Sequence, residues 1–597
     1  MNDKKIDPKR IWDEYESGRR FKAALGDLGL YEQNKRNERF YVGDQWHGAK
    51  TGERPLVRHN VIKRIGDYKM AVIGAAPVTV RYSLEGVPVC GAIDAQVKTE
   101  RERMTEAMGI GQAFDSTAPG AVADTMAMDI LSDYFSTMAE RVKFDDLKSQ
   151  VLRDAYIGGT GFLYTYWDAD VDTGMYADDM HTQPICGDIA AETLDVENVY
   201  LGDPNTADIQ KQPYILIAQR KSVKELRDIA RKNRCKDDVI EMIKPDDDTS
   251  YMAGDRSSDE LNGAKKATVI TRLWKETVNG KPTVKAVQAV RGAIIRREWE
   301  LGIRCYPLAM FQWEKRKGCA YGDSEVTYLI PNQIAINRML TASVWAVMMM
   351  GIPMTIVNGD VVQEPLTNDP GQVLRAFGSA EDVASAVRYV NPPQFSPQFD
   401  QNIQSLIGNT LTQSGANEAA LGDMRPENMS AIVAVREAAT TPMQPFQNRF
   451  YSFIEDVARI WAEFCVMKYG ARSLKTETSD GTWYMPFDGD QYIDRIVNAK
   501  VDVGAAGLWS ESQSIATLGN LLQAQLINPI QYLERLPNGI IPRQQELIEE
   551  KKAEMQAAQP PMQGGSVVDS LPSEYLDQLM ALPPEQQEQI LNTAMGG

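Results

Sequence analysis

Hydrophobic positions along this chain change period several times, and each change marks an element. Over residues 8–39, Ile11, Tyr15, Phe21, Leu25 and Leu28 recur at helical spacing, which predicts one amphipathic helix. An aromatic run, NERFYVGDQW (37–46), follows and ends at a Gly-Asp turn. A helix over 60–73 then hands over at Gly74 and Pro77 to an alternating strand, 78–82. Residues 92–157 read as mainly helical, clearest over 125–135 and 144–156, and end at GGTG (158–161) before the strand FLYTYWD. From 161 to about 220 the pattern is β, with turns expected at Asp172-Thr-Gly and Gly202-Asp-Pro. Ser222-Val-Lys-Glu225 is a capping box opening a helix to about Lys232. After an acidic Ser/Asp/Gly-rich loop (244–265), strands 268–275 and 283–291 flank Asn279-Gly280, the strongest hairpin signal in the chain. A third run ends in YPLAMFQW (306–313).

Two further apolar helical runs, 324–351 and 398–414, bracket a Pro/Asn/Gly-rich insert. In the second, Phe399, Ile403, Leu406, Ile407 and Leu411 fall on one stripe, and amides and hydroxyls occupy the rest. A helix over 429–469 is expected, bent where Pro442 and Pro445 remove backbone donors. Then come a strand (497–503), helix over 510–556 with one break at LPNGIIP, and a Gln/Pro/Gly-rich tail carrying two short amphipathic helices. The fold class is therefore α+β, and 597 residues imply about three or four domains.

Charge sharpens this picture. Lys317 is followed by no lysine until Lys468, and between Cys319 and Met424 the only basic residues are Arg338, Arg375 and Arg388, against ten acids. Within 391–417 the one ionisable side chain is Asp400. A helix with an uncharged polar outer face suits burial against another subunit, where charges are costly. It equally suits a wall past which a polyanion slides, because each lysine there would hold phosphate. The net charge of −18 argues against extensive gripping of nucleic acid.

Candidate chemistry is sparse. GGTG lacks the Lys-Ser/Thr of a phosphate loop and reads as a tight turn. The run from Asp168, DADVDTGMYADD, imitates a Ca²⁺ loop but has Thr173 where the sharp turn needs Gly and Asp179 where the closing Glu belongs, so a hairpin turn is expected. His47, His59 and His181 have no partners at metal-ligand or triad spacing. Six scattered cysteines read as reduced thiols, and the polar start, MNDKKIDPKR, as no signal peptide. The apolar stretch 341–357 is too short for a membrane span and reads as a buried helix followed by a strand. The aromatic-basic clusters NERFYVGDQW and MFQWEKRKG read as core aromatics beside surface charges rather than nucleic-acid platforms. No catalytic residue, metal or cofactor is assigned, and the chain is not expected to be an enzyme.

The order of these parts resembles that of tailed-bacteriophage portal proteins, the head-to-tail connectors, over roughly residues 10 to 555. NERFYVGDQW with VRHNVIKRI is similar to the family's N-terminal segment. PLAMFQWEKRKGCAYGDSEVTYLIPNQIAINRML resembles its approach to the stem: an aromatic strand, a Gly-Ser helix start and a Gln…Asn helix. NEAALGDMRPENMSAIVAVREAA is similar to the tunnel loop and the start of the spine helix.

The resemblance implies an α/β wing (1–323), stem helix 1 (324–351), a small α/β clip (352–397) and stem helix 2 (398–414). A tunnel loop (415–429), a spine helix with a returning wing strand (430–509), a helical crown (510–557) and a flexible tail (558–597) complete it. It also implies a ring, usually dodecameric, at one vertex of the virion capsid, assembled in the bacterial cytoplasm without membrane contact. Double-stranded DNA would pass through its channel in packaging and ejection. Its partners would be the terminase large subunit, head-completion or adaptor proteins, and the major capsid and scaffold proteins. Tunnel-loop residues expected to meet DNA are Asn417, Glu418, Arg425, Glu427 and Asn428; the stem lining is Gln401, Gln404, Asn409 and Gln413; the clip contacts for the terminase are Asn358, Asp360, Gln363 and Glu364. The alternatives are a terminase-like packaging enzyme or another head subunit, capsid or scaffold.

Overall fold

Two glycines decide how the chain begins. In the computed structural model, the single helix expected over 8–39 is two, α1 (Pro8–Ala23) and α2 (Leu30–Val42). Gly26 and Gly29 both take φ of +74°, and a side chain on Gly29 would collide with the Ala23 carbonyl. The structure describes residues 7–49, 55–75, 79–85, 119–176, 184–246, 265–278, 280–350, 354–362, 375–390, 397–416, 441–478, 481–493, 495–502 and short pieces between 518 and 547. These fall into two units, Met1–Gly504 and Ala505–Gly597.

The first unit is α+β. Helix α3 (Val61–Gly74), capped by the Asn60 side chain, leads to β1 (Thr79–Glu85), which pairs antiparallel with β14 (Ile496–Asp502), so distant parts of the chain close on each other. Helices α4 (Pro119–Val142) and α5 (Phe144–Gly158) follow. GGTG is the end of α5: Gly159 caps it at φ +80° and its carbonyl accepts the Trp313 amide at 3.0 Å.

Strand β2 (Thr160–Tyr176) lies between β3 (Pro184–Leu194) and β9 (Leu308–Gln312) in an antiparallel sheet. The expected turn at Asp172-Thr-Gly is instead part of β2, where the register to β3 shifts twice between Asp168 and Met175. A bulge absorbs the short polar residues without reversing the chain. Among the described residues no His, Cys, Asp and Glu cluster is arranged for a metal.

A second antiparallel sheet has the order β4 (Val199–Leu201), β5 (Ile215–Ser222), β6 (Lys266–Val278), β7 (Lys281–Val290), β8 (Ala293–Glu300). The 278-to-281 pairing sets a two-residue turn at Asn279-Gly280, as that dipeptide predicts. Helix α6 (Val223–Lys232) starts at Ser222, whose side chain accepts from the Glu225 amide, and with α7 (Asp237–Glu241) it buries Leu226, Ala230 and Ile240 against Val269, Val290 and Ile295. Alternation along β5 sends Leu216 and Ala218 to Ile11 and Tyr15 of α1, and Ile215 and Ile217 to the main core.

Two long helices follow the sheets: α8 (Glu325–Met350), and, beyond β10 (Met354–Val357), α9 (Ala380–Ser385) and β11 (Val387–Val390), α10 (Pro397–Gln413). Helix α11 (Gln444–Lys468) is the centre of the main core; Trp461 packs 5.2 Å from Phe135 and 5.3 Å from Phe144. Pro442 lies in a 3₁₀ turn and Pro445 in the first turn of α11, where a missing N–H costs nothing; the part of the expected helix before Thr441 lies outside the described residues. β12 (Ala471–Thr478) and β13 (Gly481–Asp488) form a ribbon after it. In the second unit a helical stretch spans 518–523; apart from short pieces up to 547, the rest of the helix expected over 510–556 lies outside the described residues, as does the tail.

Candidate functional site

Helix α8 is rooted in a buried polar knot. Ser324 caps it, accepting from the Val326 amide at 3.1 Å and donating to the Tyr156 carbonyl at 2.6 Å. Next to it the buried Glu325 carboxylate takes the Lys69 ammonium at 2.6 Å and the Trp313 indole N–H at 3.0 Å. Burial and the neighbouring Glu325 together raise the Glu314 carboxyl above the usual range. The negative end of this knot sits at the positive N-terminus of α8, where a carboxylate is favoured.

About two to four turns further, polar residues on α8 hold an extended segment of backbone. Gln333 accepts from the Val61 amide at 2.9 Å and donates to the His59 carbonyl at 2.6 Å. Asn337 accepts from the His59 amide at 3.1 Å, and Thr341 from the Val57 amide at 3.1 Å. All three are buried, spaced four apart on one helix face, and each supplies what a neighbouring strand would. Asn337 also donates to the Gln45 side chain at 2.5 Å, which ties this ladder to the end of α2.

Helix α10 runs antiparallel beside α8, and Asn332 donates to Thr410 at 3.2 Å across the pair. Its apolar stripe is turned inward: Ile403 and Leu411 are buried, Leu406 and Ile407 half-buried. Gln398, Asp400, Gln401, Asn402, Gln404, Ser405, Asn409, Thr412 and Gln413 are exposed, and Asp400 alone among them is charged. The distal part of α8 differs from expectation. The segment read as a buried helix exposes Val344, Val347 and Met348, with Val347 60% accessible. These fall on one face at i, i+3 and i+4, and nothing within the described chain covers them.

Between the helices, β10 and β11 pair antiparallel, and α9 starts at a capping box formed by Ser379 and Asp382. The Ser379 hydrogen bond holds the Asp382 carboxyl below its ordinary pKa. Val361, Val362 and Ala386 make a small core with Val357, while Phe377 (62% accessible), Ile356 and Val383 are exposed.

The structure places the sequence-derived site residues unevenly. Gln401, Gln404, Asn409 and Gln413 share the exposed side of α10. Asn358 and Asp360 are exposed at the turn after β10, but the Asn358 side chain is engaged in accepting the Asp360 amide at 3.1 Å. Gln363 and Glu364, and the loop residues Asn417, Glu418, Arg425, Glu427 and Asn428, lie outside the described residues. Sequence reasoning missed the exposed apolar residues of the β10–β11 unit and the backbone-holding role of Gln333, Asn337 and Thr341. The spacing of four on an apolar helix was the available signal for the latter.

Elsewhere in this unit burial shifts a buried lysine, Lys22, and a half-buried carboxyl, Asp154. The Lys22 ammonium, fully buried, donates to the carbonyls of Val196 (2.5 Å), Glu197 (3.3 Å) and Val199 (2.6 Å), and burial lowers its pKa to about 7. Asp154 is pushed up to about 7 by burial first and by the nearby Asp195 second. Neither residue adjoins α8 or α10 in sequence. Among the described residues no helix is long and apolar enough to cross a membrane, and cysteines 186, 235, 305, 319 and 465 are unpaired. Compared with known proteins, the chain matches no protein-family model and no curated protein.

Proposed function

We propose that this chain is a non-enzymatic subunit of a DNA-conducting ring, and specifically the portal protein of a tailed bacteriophage. One observation carries the reading: α10, packed antiparallel on α8, exposes an unbroken surface of amides and hydroxyls whose only charge is Asp400. A free surface helix normally carries Lys and Glu for solubility. A wall lining a channel must instead avoid cations, because each one binds a phosphate and repeated contacts stall a sliding polyanion.

The exposed Val344, Val347 and Met348 of α8 support assembly, since an apolar row of that kind is stable when a second copy covers it. In this reading α8 and α10 are the stem, the β10–α9–β11 unit is the clip that meets the terminase and the head-completion proteins, and 415–429 is the tunnel loop. The β-rich first part is the wing, and 510–557 is the crown. The ring occupies one capsid vertex and conducts double-stranded DNA inward in packaging and outward in ejection.

Negative-stain images of the purified full-length protein test this directly. Closed rings with an axial hole are expected, with no ATP hydrolysis above background. A monodisperse monomer, or particles without a hole, would refute the proposal.

A further inference from the structure

A cavity of about 630 Å³ opens where the end of α2 meets the middle of α8. Lys35, Arg36 and Arg39 line it from α2, Arg338 lines it from α8, and Phe40 and Trp46 supply aromatic wall. Of its two acids, Glu32 pairs with Lys35 at 3.6 Å and Asp44 lies 3.5 Å from the His47 imidazole. Arg36, Arg39 and Arg338 line the same cavity without a carboxylate partner among the described residues; Arg36 lies 5.9 Å from the Phe40 ring centre. Half-buried and exposed cations grouped around one cavity raise its positive potential and attract an anion.

The setting makes the cluster more informative. The protein carries a net charge of −18, and Arg338 is one of three basic residues between Cys319 and Met424. The site is also rigidly made. Trp46 is fixed by its indole N–H to the Val57 carbonyl at 3.0 Å, and Asn337, adjacent to Arg338, ties α8 to Gln45 at 2.5 Å. Guanidinium forks match phosphate oxygens bidentately, and an aromatic wall beside them accepts a base by stacking. The volume lies in the range of ordinary ligand pockets.

We propose that this pocket binds single-stranded nucleic acid, with phosphates held by Arg36, Arg39 and Arg338 and a base packed on Trp46. The proposal goes beyond the portal reading and is independent of it, because the site is complete within one chain. Within NERFYVGDQW, expected to be core aromatics beside surface charges, Phe40 and Tyr41 are buried, and Trp46 is half-buried and lines the cavity with Arg39.

The test measures fluorescence anisotropy of labelled octathymidylate with the full-length protein at several salt concentrations. An abasic strand of equal length and a glutamate octapeptide serve as competitors. Wild type should bind octathymidylate about tenfold more tightly than the abasic strand, in line with one stacked base. The glutamate peptide should compete more weakly than either. Arg39→Gln combined with Arg338→Gln removes two side chains that make no buried contact, so the fold should hold, as circular dichroism would report. This variant should lose about tenfold or more in affinity, and the log–log salt slope should fall by about 0.7 for each phosphate contact removed. The proposal is overturned by equal affinity of variant and wild type, by equal affinity for the thymidylate and abasic strands, by stronger competition from the glutamate peptide, or by no binding at about 50 mM salt.

Discussion

Replacing Gln333 by alanine tests whether α8 holds the 57–62 segment by side-chain bonds or merely packs beside it. The side chain is fully buried and makes four contacts of hydrogen-bond length: from the Val61 and Ile62 amides, to the His59 carbonyl and to Asn337. Truncation removes the bonds to the His59 carbonyl and the Val61 amide, which keep only their mutual bond at 3.0 Å, and takes the acceptor of the Ile62 amide; each bond lost is worth about 1 kcal/mol net. The expected local cost is therefore about 3 kcal/mol. Global unfolding of a chain of this size is not two-state, so the proper readout is local opening. Amide hydrogen exchange at His59 and Val61 should accelerate by about 100-fold. Thr341→Val removes a single neutral bond to the Val57 amide and should cost about 1 kcal/mol, near sixfold in exchange. If Gln333→Ala leaves these amides as protected as in wild type, the ladder contributes nothing and the segment is held by packing alone.

Three further outcomes follow from the same geometry. Gln401→Lys and Gln404→Lys, both on the exposed side of α10, should leave folding and ring assembly intact but slow or abort DNA packaging; wild-type packaging rates would argue against the low-adhesion account. Glu325→Gln keeps an acceptor for Trp313 but leaves the buried Lys69 ammonium unpaired, and should destabilise the foot of α8 by about 3 kcal/mol, measured by exchange of the Val326 amide. Asp154 has a folded pKa raised to about 7, so the folded state holds its proton more tightly than the unfolded one and stability declines as pH rises from about 4 through 7. Asp154→Asn should accordingly be near neutral at pH 5 and raise the melting temperature at pH 8; an equal effect at both values would show that the carboxyl ionises freely.

How much of this was legible beforehand depended on whether the signal was local. Ser222 announced α6 because a cap is a contact between residues three apart, and Asn279-Gly280 announced its hairpin because two residues make that turn. The stripe on α10 and its uncharged remainder could be read from spacing alone, since a helix face is a sequence-local property. Where local cues conflicted, the reading failed. Gly26 and Gly29 cut a helix whose apolar period continued across them, and the Asp-rich run after Trp167 became a bulged strand because β3 was there to pair with it.

The sequence by itself determined the element types, the α+β class and the absence of lysine from Gly318 to Met467, because these depend on residue order and near neighbours. Only the tertiary structure decided that Gln333, Asn337 and Thr341 serve a backbone segment some 280 positions earlier, with separations of 272 to 284 residues. It likewise decided that Arg338 meets Arg36 and Arg39 at one cavity, and that Val344, Val347 and Met348 on the distal part of α8 are exposed among the described residues. Partners so far apart in sequence are chosen by packing, and no local propensity encodes which distant surface will fold against a given helix face.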